Sequence, residues 1–131
     1  MLEKIKFITI AVGTISNYLF GGFDDVLIFL LIVMTIDYCT GVIKGYILKS
    51  LSSETGFRGI LKKVLMLFII IICVQMDRLM GLKEPLFRVM ICWYFIANEC
   101  ISIFENCGEM GIPIHPKLKE ALEQIKEKGR F

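Results

Sequence analysis

From Val26 to Ile43 the chain reads VLIFLLIVMTIDYCTGVI, eighteen residues that hold one charge, Asp37. As a helix this run covers about 27 Å, close to the ~30 Å hydrocarbon core of a bilayer. A second run, Val64 to Met80 (VLMLFIIIICVQMDRLM), keeps Asp77 and Arg78 to its far end. The third, Leu86 to Phe104 (LFRVMICWYFIANECISIF), carries Trp93 and Tyr94 in its middle and Glu99 inside it. A core helix of a water-soluble protein keeps one polar face, and these runs are apolar nearly all round. They predict three transmembrane helices.

The N-terminal stretch Ile5 to Phe20 (IKFITIAVGTISNYLF) is thinner. Lys6, Thr9, Gly13, Ser16 and Asn17 recur at helical spacing and gather on one face. A fourth span, an interfacial helix and a removable signal peptide compete for it. Lys4 and Lys6 supply the basic region that a signal peptide needs, but no A-x-A-like cleavage site follows. The spanning reading is taken as the expectation.

Beyond the third run, Gly111-Ile112-Pro113-Ile114-His115-Pro116 breaks the pattern, and Pro116 suits the first turn of a new helix. From Lys117 to Lys128, Leu118, Ala121, Leu122 and Ile125 recur among charges with amphipathic spacing. The expected fold is therefore an all-α integral membrane protein. Its transmembrane domain occupies residues 1–110, with spans at about 5–20, 26–45, 64–80 and 86–105. A basic tail, residues 111–131, follows with an amphipathic helix at 117–128.

Composition agrees. Of 131 residues, 56% are hydrophobic and 21% charged, and the mean hydropathy is +0.69. A soluble domain this small exposes much of its surface and needs polar residues to cover it. A soluble enzyme, a secreted disulfide scaffold and a disordered tail are all disfavoured. The five cysteines (Cys39, Cys73, Cys92, Cys100, Cys107) form no CxxC pair, and His115 is the single histidine. These spacings fit neither a zinc site nor a disulfide framework, so no metal is expected.

Net charge is only +2, which gives no nucleic-acid footprint. Its placement is more informative. Lys44, Lys49, Arg58, Lys62 and Lys63 crowd the segment between the first two strong runs. Lys117, Lys119, Lys126, Lys128 and Arg130 crowd the tail. Two spans separate these clusters, so both can be cytoplasmic together. If the N-terminal helix also spans, Lys4 and Lys6 join them and both termini lie inside. The tail lysines would then sit in water or at the anionic inner headgroups.

Polar residues inside spans are costly, so the faces they share are informative. Asp37, Gly41 and Gly45 follow at i, i+4 and i+8, with Thr40 and Lys44 flanking. Gly41-x-x-x-Gly45 is a small-xxx-small pattern that lets helices approach closely in lipid. This stripe predicts a helix contact or a pore-facing surface. The alternative is pairing of Asp37 within its own chain, with Arg88 or Lys44. On the third run Arg88, Cys92, Phe95, Glu99, Ser102 and Asn106 share a side, widened by Asn98 and Glu105. Arg88, Asn98, Glu99, Ser102 and Glu105 are the candidate polar seam. Thr9, Gly13, Ser16 and Asn17 form a further polar face. A single small bundle has little interior to hide three such faces, so self-association across them is expected.

No GxGxxG, GxxxxGK[ST], GxSxG or HExxH occurs, and the histidine lies outside the spans. No catalytic residue and no cofactor is expected.

Asp37-Tyr38-Cys39-Thr40-Gly41, then a basic loop with Ser52-Ser53, Gly56, Gly59 and Lys62-Lys63, resembles the toxin-secretion/phage-lysis holin family. The run from Asn98-Glu99-Cys100 to Glu105-Asn106 resembles it too, as does Gly111-Ile112-Pro113-Ile114 followed by Leu118. His115 before Pro116 departs slightly from the family's turn. The likeness covers about residues 26–125. It implies a homo-oligomer in the bacterial cytoplasmic membrane that assembles into lesions. These would release an endolysin for host lysis, or a toxin lacking a signal peptide. A small ion or solute transporter or channel subunit, and a membrane adaptor that recruits a partner through its tail, are the alternatives.

Overall fold

A computed structural model of the protein describes residues 1–128. The described residues form five helices joined by short turns: α1 (Leu2–Phe20), α2 (Asp25–Ile47), α3 (Ser53–Met80), α4 (Leu86–Glu109) and α5 (Pro116–Lys128). Of these, α2, α3 and α4 are long and apolar enough to cross a membrane. The protein is an all-α, multi-pass membrane protein.

Four of the five helix starts have a chemical cause. Asp24 caps α2 by accepting a hydrogen bond from Leu27 N at 3.1 Å, and Ser52 caps α3 by accepting from Thr55 N at 3.4 Å. A side-chain oxygen at such a position satisfies an amide that the helix cannot. α4 follows Pro85, which has no side-chain cap. Asp77, near the end of α3, supplies the missing acceptors, taking hydrogen bonds from Phe87 N at 2.8 Å and Arg88 N at 2.9 Å. His115 caps α5 through Nδ1, which accepts from Lys117 N at 3.2 Å.

α3 begins at Ser53, well before the apolar run at Val64. Much of the predicted basic loop is thus helix. Ser52 starts it, Glu54 sits in its first turn, and Arg58 pairs with Glu54 one turn on at 2.8 Å. That shift carries Lys62 and Lys63 onto α3.

α4 is central, packing against α2, α3 and α5. The buried core is Leu27, Leu30, Val33 and Met34 from α2, Ile70 and Val74 from α3, and Cys92, Phe95 and Ile96 from α4. Lipid is as apolar as this core, so in a membrane it contributes close packing rather than removal from water. α1 lies along α3 and contains no buried residue. Phe7, Ile8, Ile10, Val12 and Ile15 are all exposed. Glu3, Lys4 and Lys6 break its apolar run, and it is not among the helices apolar enough to cross by length and composition.

Candidate functional site

The polar residues of the bundle form two clusters at different depths. The first closes the end that carries the α1–α2 and α3–α4 turns. Arg88 is only 2% exposed. Its guanidinium donates from Nε to Phe20 O at 2.6 Å and from Nη2 to Gly22 O at 2.8 Å. It also forks onto the Asp24 carboxylate, at 2.8 Å from Nη1 and 3.1 Å from Nη2. The planar fork suits such multiple acceptance, which an ammonium cannot reproduce. Gly21 turns the chain in the left-handed region (φ 71°), and a Cβ there would stand 3.1 Å from Arg88 Nε. Both the conformation and the crowding call for glycine. The Arg88 hydrogen bonds hold the Asp24 carboxyl below the usual carboxylate range, assisted by the Leu27 amide and opposed by partial burial. Beside this clasp, Arg78 donates to Tyr18 O at 2.5 Å and lies 3.9 Å over the Tyr18 ring. This ties α1 to α3.

The second cluster lies deeper. Measured from the helix ends at those turns, Asp37 stands about 18 Å along α2, Glu99 about 20 Å along α4 and Lys63 about 26 Å along α3. Lys63 Nζ donates to Asp37 Oδ2 at 2.8 Å and to Glu99 Oε2 at 2.6 Å. The side chains of Lys63, Asp37 and Glu99 are 17%, 15% and 6% exposed. Asn106 Nδ2 donates to Thr40 Oγ1 at 3.0 Å and approaches Asp37 Oδ1 at 3.4 Å. A cleft of about 650 Å³ opens beside these groups between α2, α3 and α4, with Tyr38, Gly41, Gly56 and Ser102 on its walls. It is the concave polar feature of a bundle whose outside is otherwise largely apolar.

The sequence-derived candidates distribute over both clusters. Asp37, Gly41, Gly45, Asn98, Glu99 and Ser102 all line the cleft, and Thr40 joins it through Asn106. Arg88 does not belong with them; it sits at the opposite end, in the turn clasp. Asp37 pairs within its chain, and its partner is Lys63 rather than Arg88 or Lys44. Lys44 pairs instead with Glu109 at 3.1 Å. Gly45 is buried, and a Cβ there would meet Leu51 of the following loop at 3.3 Å, so this glycine serves a contact inside the chain. Glu105 faces outward and lies 4.0 Å from Lys119 of α5. On α1, Thr9 Oγ1 donates to Ile5 O at 2.8 Å, Gly13 has nothing near its Cα, Ser16 is half-buried and Asn17 is exposed. Lys117, Lys119, Lys126 and Lys128 lie on α5, while Arg130 lies outside the described residues. Asp37, Glu99 and Arg88 therefore each find partners within one copy. Their burial alone does not demand a second molecule, contrary to the expectation from the three polar faces.

Three members of these arrangements, Lys63, Asp24 and the α4-capping Asp77, were not among the sequence-derived site residues. Ser52-Ser53-Glu54 with Arg58 four residues after Glu54 is a helix-start signature that would have placed Lys63 on a helix.

Comparison with known proteins agrees with this architecture. A family model described as the bacteriophage holin family matches residues 14–127. The chain is 44% identical over 128 residues to an uncharacterized 14.9 kDa protein in the nagH 3′ region of Clostridium perfringens, covering 98% of this chain and 97% of that one. It is 42% identical over 127 residues to the uncharacterized protein CPE0383 of Clostridium perfringens strain 13, covering 97% and 94% of the two. YqxH of Bacillus subtilis is 36% identical over 109 residues, 83% of this chain and 76% of that protein. No solved structure matches. Holins are not an enzyme family. With three membrane-crossing helices and a family match over most of its length, the chain belongs to the bacteriophage holin family.

Proposed function

We propose that the protein permeabilises the bacterial cytoplasmic membrane by self-assembly, opening lesions through which a cytoplasmic endolysin reaches the cell wall. A toxin without a signal peptide is the other cargo such a lesion would pass. The carrying observation is the polar cleft around Asp37, Lys63 and Glu99, set deep in a bundle whose exterior is apolar. A lesion needs a lipid-compatible outside and a surface that can meet water. This bundle has both.

In this reading Asp37, Thr40 and Gly41 form the helix-contact stripe, with Gly45 packing inside the chain, and Asn98, Glu99 and Ser102 form the water-facing seam, once copies meet. α1, whose exposed surface is largely apolar beyond Lys6, serves as a fourth span, its polar face of Thr9, Gly13, Ser16 and Asn17 turned to neighbouring copies. The basic α2–α3 loop and α5 share one end, since Lys44 reaches Glu109 and Lys119 approaches Glu105. Positive residues favour the cytoplasmic side, so that end and both termini are assigned inside. An ion-transport role would want carboxylates free to bind a cation, but Lys63 engages both.

Induced expression in a bacterium should stop growth with abrupt loss of membrane potential. Purified protein should release both small dyes and a protein-sized cargo from vesicles. Continued growth at full potential with abundant protein in the membrane overturns the proposal.

A further inference from the structure

Lys63 makes a link that no other side chain duplicates. α3 touches α2 over a short stretch, whereas α2 and α4 pack along much of their length. Among the described residues, the Lys63–Asp37 pair is the polar tie between α3 and α2, and the same nitrogen ties α3 to α4 through Glu99. Beside this pair, the walls meet where glycines of α3 face Tyr38 of α2. Gly59 has only Tyr38 Cδ2 within reach, 3.9 Å from where its Cβ would stand, and Gly56 has the Tyr38 hydroxyl at 3.3 Å. At this end the polar hold on α3 is one ammonium, while Ile70 and Val74 in the core and the Asp77 cap hold its other half.

The charge count at this point is uneven. The elements around Lys63 bring Asp37, Tyr38 and Lys44 from α2, Lys62 from α3, Glu99 and Cys100 from α4, and Glu105 and Lys119 across the α4–α5 contact. Lys44 is taken by Glu109 and Lys119 lies near Glu105, Lys62 is exposed, and α1 adds nothing to the cleft. Two carboxylates therefore converge on one ammonium. Removing either carboxylate leaves a balanced pair. Removing the lysine, or both carboxylates, leaves uncompensated charge that is unfavourable where burial has thinned the water.

We propose that Lys63 is a latch. Its ammonium, clamped between Asp37 and Glu99, holds α3 closed over the polar cleft, and its release swings α3 away and uncovers that surface to neighbouring copies. This deepens the proposed function and rests on it. In the sealed copy Asp37 and Glu99 both find their partner in Lys63. In the open copy Asp37 and Glu99 need water or a neighbour.

The test uses the full-length chain with its native cysteines replaced, carrying Y38C and G59C, reconstituted in vesicles of phosphatidylethanolamine and phosphatidylglycerol. A short thiol cross-linker reports whether α3 is closed, independent of permeabilisation. Expected is efficient cross-linking in this background and with E99Q or D37N added. K63Q and the double change D37N/E99Q should each lower it about tenfold or more, since losing even one charge-assisted hydrogen bond shifts an equilibrium by about that factor. Dye release should run in the opposite order, fastest for K63Q and D37N/E99Q. Cross-linking the otherwise unaltered triad should block release until the linker is cleaved. K63R, which keeps the charge, should restore closure, and far-UV circular dichroism identifies any variant that has not folded. Undiminished cross-linking in folded K63Q, or full release from the cross-linked protein, overturns the latch. If the protein never permeabilises vesicles while K63Q still lowers cross-linking, the latch stands and the lesion reading falls.

Discussion

Replacing Arg88 tests whether the turn clasp holds the bundle's closed end together. Arg88→Gln removes four hydrogen bonds that one guanidinium makes, to Phe20 O, Gly22 O and both oxygens of Asp24. A bond to a charged group contributes about 1.5–3 kcal/mol when its loss leaves a buried partner stranded. The Asp24 side chain is 52% exposed, so water replaces much of its share, and a screened pair contributes about 1 kcal/mol or less. The carbonyls of Phe20 and Gly22 are less accessible and lose more. The expected cost of Arg88→Gln is about 2–3 kcal/mol, and Arg88→Lys, which keeps the charge and loses the fork, should cost about half of that. Trp93 is the sole tryptophan and lies on α4 little more than one turn beyond Arg88. Its fluorescence in mixed micelles, titrated with a denaturing detergent, reports unfolding of this region. Hydrogen exchange at residues 18–26 reports the turn itself and should speed up in both variants. Arg88→Gln unfolding at the wild-type detergent fraction, with unaltered exchange in the turn, would falsify the clasp as a source of stability.

The depressed acidity of Asp24 fixes the sign of a pH effect. Its folded value lies below the unfolded one, so its contribution is complete above about pH 4 and is lost as pH falls through the depressed value. Asp24→Asn keeps an N-cap acceptor and should flatten the acid limb of stability below about pH 4, measured by detergent titration; an unaltered acid limb would exclude Asp24 as its source. The two stripe glycines should separate cleanly. Gly41 has only Asn106 Nδ2 near, at 3.9 Å, while Gly45 faces the Leu51 backbone at 3.3 Å. Gly41→Ala should therefore change stability by less than about 0.5 kcal/mol, whereas Gly45→Leu should cost about 1–3 kcal/mol by forcing the α2–α3 loop outward; equal thermal stabilities would count against this assignment. Truncation before Pro116 removes a helix with no buried residue and one long, exposed ion pair. The spans should keep their helical circular dichroism and their vesicle release, and a complete loss of release would favour an adaptor role for the tail.

The spans were legible because their signal is length and uniform apolarity, which needs no knowledge of what packs where. Val26–Ile43 and Leu86–Phe104 lie within α2 and α4. The start of α3 was not legible from hydropathy, because its first turns are polar and only the Ser52 cap and the Glu54–Arg58 pair mark them. Helical spacing placed Asp37, Glu99 and Ser102 on the right faces, and all three line one cleft. It could not name the partner. Periodicity says which side of its own helix a residue occupies, while pairing depends on the rotation and rise of the neighbouring helix. Arg88 shows the same limit. It shares a helix face with Glu99, yet lies three turns away at the other end, where the Asp24 carboxylate and two turn carbonyls capture it.

Intramolecular pairing changes what assembly must supply. Were Asp37 and Glu99 bare in each copy, association would begin as soon as two copies met, since any partner would relieve a buried charge. With Lys63 between them, a lone copy has no such drive, and its apolar exterior is content in lipid. On the proposed reading, copies would then accumulate without harm. Assembly then requires exchange of a satisfied internal pair for an external one, a step whose drive per copy is close to balance and which becomes favourable only when many open copies can share the polar surface. A near-balanced exchange summed over many copies gives a sharp onset with concentration, because no small cluster encloses the surface and a large one does. The timing of permeabilisation would thus be set by the margin by which one ammonium satisfies two carboxylates, and single-residue changes at Lys63 or Glu99 should move that onset in opposite directions.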